Sequence, residues 1–476
     1  MTAEPLTRSR SRSESPHIWL LPVAIRAESW CREVHGWDHE GVSTLHRLPG
    51  VRVTDHVVTV PLVHGDPADP RTIQVLAREV VTATRAHDDL PLLLFLQGGP
   101  GGRSPRPLGA EGWVGTALER FRVVLLDQRG TGRSTPVTAA TMATLAAGRP
   151  PAEATATQAE YLTHFRADAI VADAEAVRAQ VFGGRTWSTL GQSYGGFLTL
   201  AYLSRHPEAL DACLVTGGLA SLRPDATALY TNTWARTRGK NAGFRARHPE
   251  DVALLARVAD VLDAGTTTLP NGDVVSTRRL QSLGMDLGMK QGADRIHWLL
   301  DDAFLPDGSP DADERLSDTF LAGLEAATGF RSNPMYAVLH ESIYASGDDV
   351  RPWAAHATMP DDFAPDARPL QLTGEMILPW MFEEMAELRP FRAATEALHA
   401  RTEWPELYDV DRLAANEVPV VAAVYHDDMF VPADLSLATA GTVGNVRTWI
   451  TNEHEHDGLR VGGTLTHLLD LLDEGL

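Results

Sequence analysis

Pro91–Leu96 and Phe121–Leu126 are short, unbroken apolar runs, and each ends in a glycine-rich turn. Runs of this length without polar alternation predict strands buried on both faces, as in a parallel sheet covered by helices. Thr186–Leu190, Val418–Tyr425 and Val446–Thr451 read as further strands, and a helix-like run, Phe197–Arg205, follows the first of these three. Between residues 221 and 402 the pattern turns helical, over Asp251–Leu262, Leu316–Ala326 and Phe382–Leu388. Loops rich in proline and glycine, such as Leu305–Pro310 and Met359–Pro369, break it up. The whole predicts an α/β chain with a mostly parallel, doubly wound sheet and an inserted, mainly helical region.

The turns carry the candidate chemistry. Gly191-Gln192-Ser193-Tyr194-Gly195-Gly196 lies between a strand-like and a helix-like run and has the form Gly-x-Ser-x-Gly. A serine on such a turn is lifted from the sheet on a strained backbone, and small neighbours leave it room. The following helix turns its N–H groups and positive dipole end towards a developing oxyanion. The same six residues also suit a glycine-rich connection with an incidental serine. Two further turns favour the first reading: Gln97-Gly98-Gly99-Pro100-Gly101-Gly102, and Asp127-Gln128-Arg129-Gly130-Thr131-Gly132-Arg133-Ser134. Both sit where open α/β sheets place their sites. Neither has the spacing of a dinucleotide or P-loop motif. Asp127 and Arg129 are expected to brace loops rather than to react. The arrangement fits an α/β-hydrolase, whose second oxyanion donor lies in the loop after the third strand of the fold. Gly99 and Tyr194 are accordingly the expected backbone donors.

In that fold the order along the chain is serine, acid, histidine. His426-Asp427-Asp428-Met429-Phe430-Val431-Pro432 follows the Val418–Tyr425 strand, so Asp427 and Asp428 compete for the acid. Beyond Val446–Thr451 lies Asn452-Glu453-His454-Glu455-His456-Asp457-Gly458, where His454 and His456 compete for the base. A His-x-His pair also raises the question of metal. With no third ligand at metal-site spacing nearby, neither metal nor another cofactor is expected.

Gly98–Gly101, Asp127–Ser134 and Gly191–Gly196 together resemble the proline iminopeptidase family, α/β-hydrolase serine peptidases that release an N-terminal proline. The resemblance runs from about Trp37 to the C-terminus and is weakest in the middle. One departure stands out, because many relatives have histidine where this chain has Gln97. The resemblance implies Asp428 as the acid, within Asp-Met-x-x-Pro, and His456 as the base, within Glu-His-Asp-Gly-Leu-Arg. It also implies Glu341, in His340-Glu341-Ser342-Ile343-Tyr344, as the residue that meets the substrate amine. Glu375, in Gly374-Glu375-Met376, is a second candidate, since a buried carboxylate is the economical partner for a terminal ammonium. Tyr336, Tyr344, Trp353 and Trp380 are candidate walls of a proline-sized pocket.

Length and charge sharpen this picture. The distance from residue 193 to partners beyond 420 exceeds one β-α unit, so the 476-residue chain is expected to divide into four parts. These are a disordered tail at 1–16, a hydrolase core at 17–220, a helical cap at 221–402 and the remaining core at 403–476. A formal charge of −21 argues against nucleic acid and anionic membranes as partners. Two cysteines, Cys31 and Cys213, make no disulfide framework, and Cys213 is expected to be a buried thiol. No run reaches the length of a membrane span, and Pro22 and Arg26 interrupt the apolar stretch Ile18–Ile25. No small-residue cleavage site follows it, so the expected location is cytoplasmic. The expected activity is a serine exopeptidase acting on small peptides with a free N-terminus. The alternatives are an esterase, amidase or thioesterase on the same triad, and a non-catalytic binding protein on the same scaffold.

Overall fold

The computed structural model describes residues 44–223, 225–304, 315–348 and 352–475. The expected tail, Cys31 and the Leu305–Pro310 loop lie outside or largely outside these residues. Nine strands form one sheet: β1 Thr44–Leu48, β2 Val51–Pro61, β3 Thr72–Thr82, β4 Leu92–Leu96, β5 Arg122–Leu126, β6 Trp187–Gln192, β7 Leu210–Thr216, β8 Val420–Tyr425 and β9 Val446–Thr451. Their spatial order is β1-β2-β3-β5-β4-β6-β7-β8-β9. β1, β2, β3 and β5 pair antiparallel, and every pairing from β5 to β9 is parallel.

Burial explains why the central runs are unbroken. Every residue of β4, β6 and β8 is buried, because helices cover both faces. The helices Gly112–Leu118 and Thr464–Asp473 share one core with Leu93, Phe95, Val123, Leu125, Val421 and Ala423. These sheet residues are two apart along their strands and so point the same way. The helices Tyr194–Arg205 and Ala167–Phe182 pack against the other face. β2 behaves differently, alternating buried and more exposed positions over VRVTDHVVTVP, as an antiparallel strand with one wetter face does.

The strand order also decides where a site can form. After β4 the chain steps to one side as β5, then crosses back to the other side as β6. Loops leaving the C-terminal ends of β4 and β6 therefore diverge and leave a crevice, the usual position for a ligand in an open α/β sheet.

β7 and β8 are parallel neighbours, yet some two hundred residues separate them in sequence. Among the described residues this stretch contains helices and no strand of the sheet. It begins with the 22-residue helix Ala226–Arg247, which Asp225 caps by accepting from Ala228 N–H. Asp251–Leu262 forms a helix as expected, running to Asp263. The expected helix over Leu316–Ala326 is shifted to Asp318–Thr328, because the Ser317 hydroxyl accepts from Phe320 N–H and sets the start. Phe382–Leu388 is not a helix throughout. Met381–Glu384 forms one turn and Met385 is extended, which ends it.

Candidate active site

Ser193 leaves β6 with φ 56° and ψ −123°, then the helix Tyr194–Arg205 begins at once. A side chain rarely holds this backbone, which costs roughly 1–3 kcal/mol and persists only where the surroundings impose it. Here the imposing contact is visible. A methyl group at Gly195 would collide with the carbonyl oxygen of Leu96 at the end of β4, so helix and strand can approach this closely only at a glycine. Ser193 N–H also donates to Thr216 O at 2.9 Å, tying the turn to β7.

The loop after β4 lies against the serine. A methyl group at Gly98 would stand 3.0 Å from Ser193 Cβ and 2.8 Å from Gln192 Oε1. Gln97 is buried, and its carbonyl accepts from Gln128 Nε2 at 2.7 Å, which ties the loop to the turn after β5. Gly98 thus stands beside Ser193 on the loop after β4, with Gly99 next to it in the chain, and Tyr194 follows Ser193 as the first residue of the helix. Asp127 accepts from Ser104 N–H and Arg133 N–H and forms a two-point pair with Arg106. Arg129 is buried against Asp173 and donates to the carbonyls of Leu62 and His164. Both side chains hold loops in place.

Asp428 and His456 meet behind the elbow. His456 Nδ1 lies 2.7 Å from Asp428 Oδ2, with both residues buried. Asp428 Oδ1 accepts from Phe430 N–H at 2.8 Å and Val431 N–H at 3.0 Å, so the carboxylate is held in one orientation. A methyl group at Gly217, the residue after Thr216, would lie 3.2 Å from His456 Nδ1. The histidine therefore sits beside the same β7 turn that holds Ser193. Burial pulls the His456 pKa down, but the charge of Asp428, its hydrogen bond and the charge of Glu375 outweigh that and leave it raised. The competing residues point elsewhere. Asp427 is exposed and pairs with His426 at 2.9 Å, while the His454 ring packs beside Tyr425 and Trp449.

Over this group lies a narrow cavity whose walls include Tyr230, His340, Tyr344, Glu375, Met429 and Phe430. The Phe430 ring also stands edge-on to His456, with centroids 4.7 Å apart, so the cavity adjoins His456. Glu375 is half-buried there and hydrogen-bonds the Tyr336 hydroxyl. Burial raises its pKa to about 7, against the opposing pull of His456 and the Tyr336 hydrogen bond. Burial pushes His340 down to about 4, so this neighbour stays neutral.

Glu341 occupies a different position. Its two oxygens accept from Ala354 N–H and Ala355 N–H, each at 3.0 Å, and His399 Nδ1 lies 3.4 Å away. It thereby caps the short helix Ala354–Ala357. Trp353 stacks on His399 beside this cap, whereas Tyr344 packs against Phe197 of the elbow helix.

His248, Asp251 and His297 bring ligand-type atoms within 4.8 Å of one another, far from the elbow in sequence. The two rings are stacked at 4.2 Å and 10°, so their in-plane lone pairs run side by side rather than converge on one ion. Each ring instead pairs with an aspartate, His248 with Asp294 and His297 with Asp251, both at 3.1 Å.

The sequence comparisons agree with this geometry. A family model for the alpha/beta hydrolase fold matches residues 91–251, the stretch that holds both loops and the elbow. A proline iminopeptidase of Aeromonas sobria is 43% identical, over 88% of this chain and 96% of that protein. A proline iminopeptidase of Aspergillus aculeatus is 33% identical, over 87% of this chain and 92% of that protein. Likeness over nearly the full length of both relatives places the chain in the proline iminopeptidase family.

Proposed function

We propose that this protein is a serine exopeptidase releasing an N-terminal proline, or a small apolar residue, from peptides. Ser193 is the nucleophile, His456 the base and Asp428 the group that orients it. With Nδ1–H donated to Asp428, the other ring nitrogen is left to take the Ser193 proton as the hydroxyl attacks the scissile carbonyl. The Gly99 and Tyr194 N–H groups receive the charge that develops on the carbonyl oxygen. The imidazolium then protonates the leaving amine, and water hydrolyses the acyl-enzyme by the same route. The segment 221–402 acts as a cap that supplies the wall opposite the triad.

The observation that carries the peptidase reading over the esterase one is Glu375. It is a half-buried carboxyl in the cavity beside His456, and desolvation raises its pKa to about 7, so among the described residues its charge lacks a cationic partner that a substrate ammonium would supply. Glu341 was the first choice from sequence. Its engagement by two backbone N–H groups supports a role in shaping the cap, and makes Glu375 the better candidate for the amine. A panel of prolyl amides, other aminoacyl amides and neutral esters tests the reading. Preference for the neutral esters would favour an esterase.

Two predictions concern the partners of Ser193. Asp428→Asn lowers kcat by roughly ten-thousandfold, since it no longer holds the required tautomer. His456→Ala is comparably damaging, while Asp427→Asn and His454→Ala stay near wild type. Steady-state kinetics on a prolyl amide decide between the pairs, and an exchange of severe and mild members would reassign both loops.

The second prediction is a pH profile. Protonated His456 cannot accept a proton, and its raised pKa moves the acid limb of kcat/KM above the ordinary histidine range. Removing the Glu375 charge takes away part of that support. The acid limb measured with a neutral ester therefore shifts to lower pH in Glu375→Gln. A limb that stays put or moves up contradicts the charge coupling.

A further inference from the structure

The longest helix of the insertion does more than cover the site. Asn232, Arg236 and Lys240 are four residues apart on Ala226–Arg247 and so share one face. Arg236 and Lys240 reach the loops that carry the acid and the base, and Asn232 reaches the helix Ala433–Ala440 that follows the first of them. Asn232 Nδ2 and Arg236 Nη2 bind Asp434, at 2.9 and 2.7 Å. Arg236 Nη1 lies 3.3 Å from the carbonyl oxygens of both His426 and Asp428. Lys240 Nζ lies 2.6 Å from Glu455 Oε2, next to His456 in the chain. From Asn232 to Lys240 the helix rises about 12 Å, so one stiff rod spans both loops.

Residue usage singles out the last contact. The chain has 40 arginines and only two lysines, Lys240 and Lys290. Lys290 meets the same loop through its backbone N–H, which donates to Asp457 Oδ1 at 3.0 Å. His456 N–H donates in turn to Gly288 O at 3.2 Å. The Lys240 and Glu455 side chains are only 17% and 21% exposed, so water screens this pair less than a surface ion pair. The Arg236–Asp434 pair is more open, with Asp434 at 57%.

We propose that Lys240, acting through Glu455, is a positioning residue that holds the His456 loop in register with Asp428, so that turnover depends on how this helix is seated. The inference rests on His456 and Asp428 being the base and its orienting acid. A base displaced by about 1 Å can lose up to two orders of magnitude in rate without any loss of substrate contacts. The signature is thus a fall in kcat with KM preserved.

The test compares Lys240→Met, Glu455→Gln, the double variant and Lys240→Arg in the full chain, on a prolyl amide. Each single variant lowers kcat roughly tenfold with KM within about twofold. The double variant is no worse than either single one, because the two residues act as one unit. Lys240→Arg restores most of the rate, and phosphonate labelling of Ser193 slows in parallel with kcat. Circular dichroism and Tm identify folded variants. Should Lys240→Met fail to fold, Glu455→Gln, which keeps the side-chain shape, decides alone. Wild-type kcat in the folded variant, losses confined to KM, additive losses, or an arginine variant as impaired as the methionine one would each overturn the proposal. His456→Ala is measured alongside. If it stays active, the assignment of the base fails, whereas an inactive His456→Ala beside an unaffected Lys240→Met removes only the clamp.

Discussion

Ser193→Ala abolishes hydrolysis of prolyl amides and of neutral esters alike, and leaves the fold intact. Loss of a nucleophile in a triad removes several orders of magnitude in rate, and what remains comes from the oxyanion donors and binding alone. Stability should hardly change, because the Ser193 hydroxyl contributes little packing and the contacts that force the turn belong to its neighbours. These are Gly195 against Leu96 O and Ser193 N–H to Thr216 O. The turn also permits a check on strain. Ser193 holds φ 56° and ψ −123°, and alanine keeps that strain whereas glycine relieves it. Ser193→Gly should therefore unfold at a higher temperature than Ser193→Ala, by an amount corresponding to about 1 kcal/mol. Activity is measured by single-turnover release of the amine and stability by thermal melting. An alanine variant with wild-type turnover, or phosphonate labelling at another serine, removes Ser193 from the mechanism.

Glu375→Gln has the second largest expected effect, and it is selective. A half-buried carboxylate facing a substrate ammonium forms a charge-assisted hydrogen bond of about 1.5–3 kcal/mol. Its loss lowers kcat/KM for prolyl amides roughly tenfold to a hundredfold. N-acetylated amides and simple esters carry no ammonium and should change little when measured well above the acid limb. Glu341→Gln serves as the contrast. Its carboxylate accepts from Ala354 N–H and Ala355 N–H, so the substitution should lower Tm and affect charged and neutral substrates together. If Glu375→Gln damages both substrate classes equally while Glu341→Gln is selective, the amine site lies at Glu341, as the family resemblance alone implies.

Much of the site was legible because its chemistry is local. A nucleophile elbow needs glycines within two or three residues of the serine, so the strand, the turn and the helix start at 187–205 are written together in one stretch. The glycine-rich loops after β4 and β5 are legible for the same reason, since each follows an unbroken and almost wholly buried strand. The residues alone leave the acid and base as pairs of neighbours, within which the family resemblance implies Asp428 and His456. Asp427 and Asp428 have the same chemistry, and what separates them is the direction of the loop after β8, which exposes one and turns the other onto His456. The meander β1–β3 is less legible, because β1 is mostly exposed and β2 alternates buried and more exposed positions instead of forming an unbroken apolar run. The helix Ala226–Arg247 was missed because its buried positions are sparse among polar ones.

What the chain determines by itself is thus the α/β class and the order along it of the candidate nucleophile, acid and base, each encoded by residues close in sequence and by strands buried on both faces. Only the tertiary structure decided which carboxylate enters the cavity beside His456, and that one long helix touches both the Asp428 loop and the His456 loop. Those relations join residues 375 and 456, 236 and 428, and 240 and 455. Segments this far apart in sequence are brought together only when the region between β7 and β8 folds back over the sheet, and no local pattern of hydrophobic and polar positions encodes that closure.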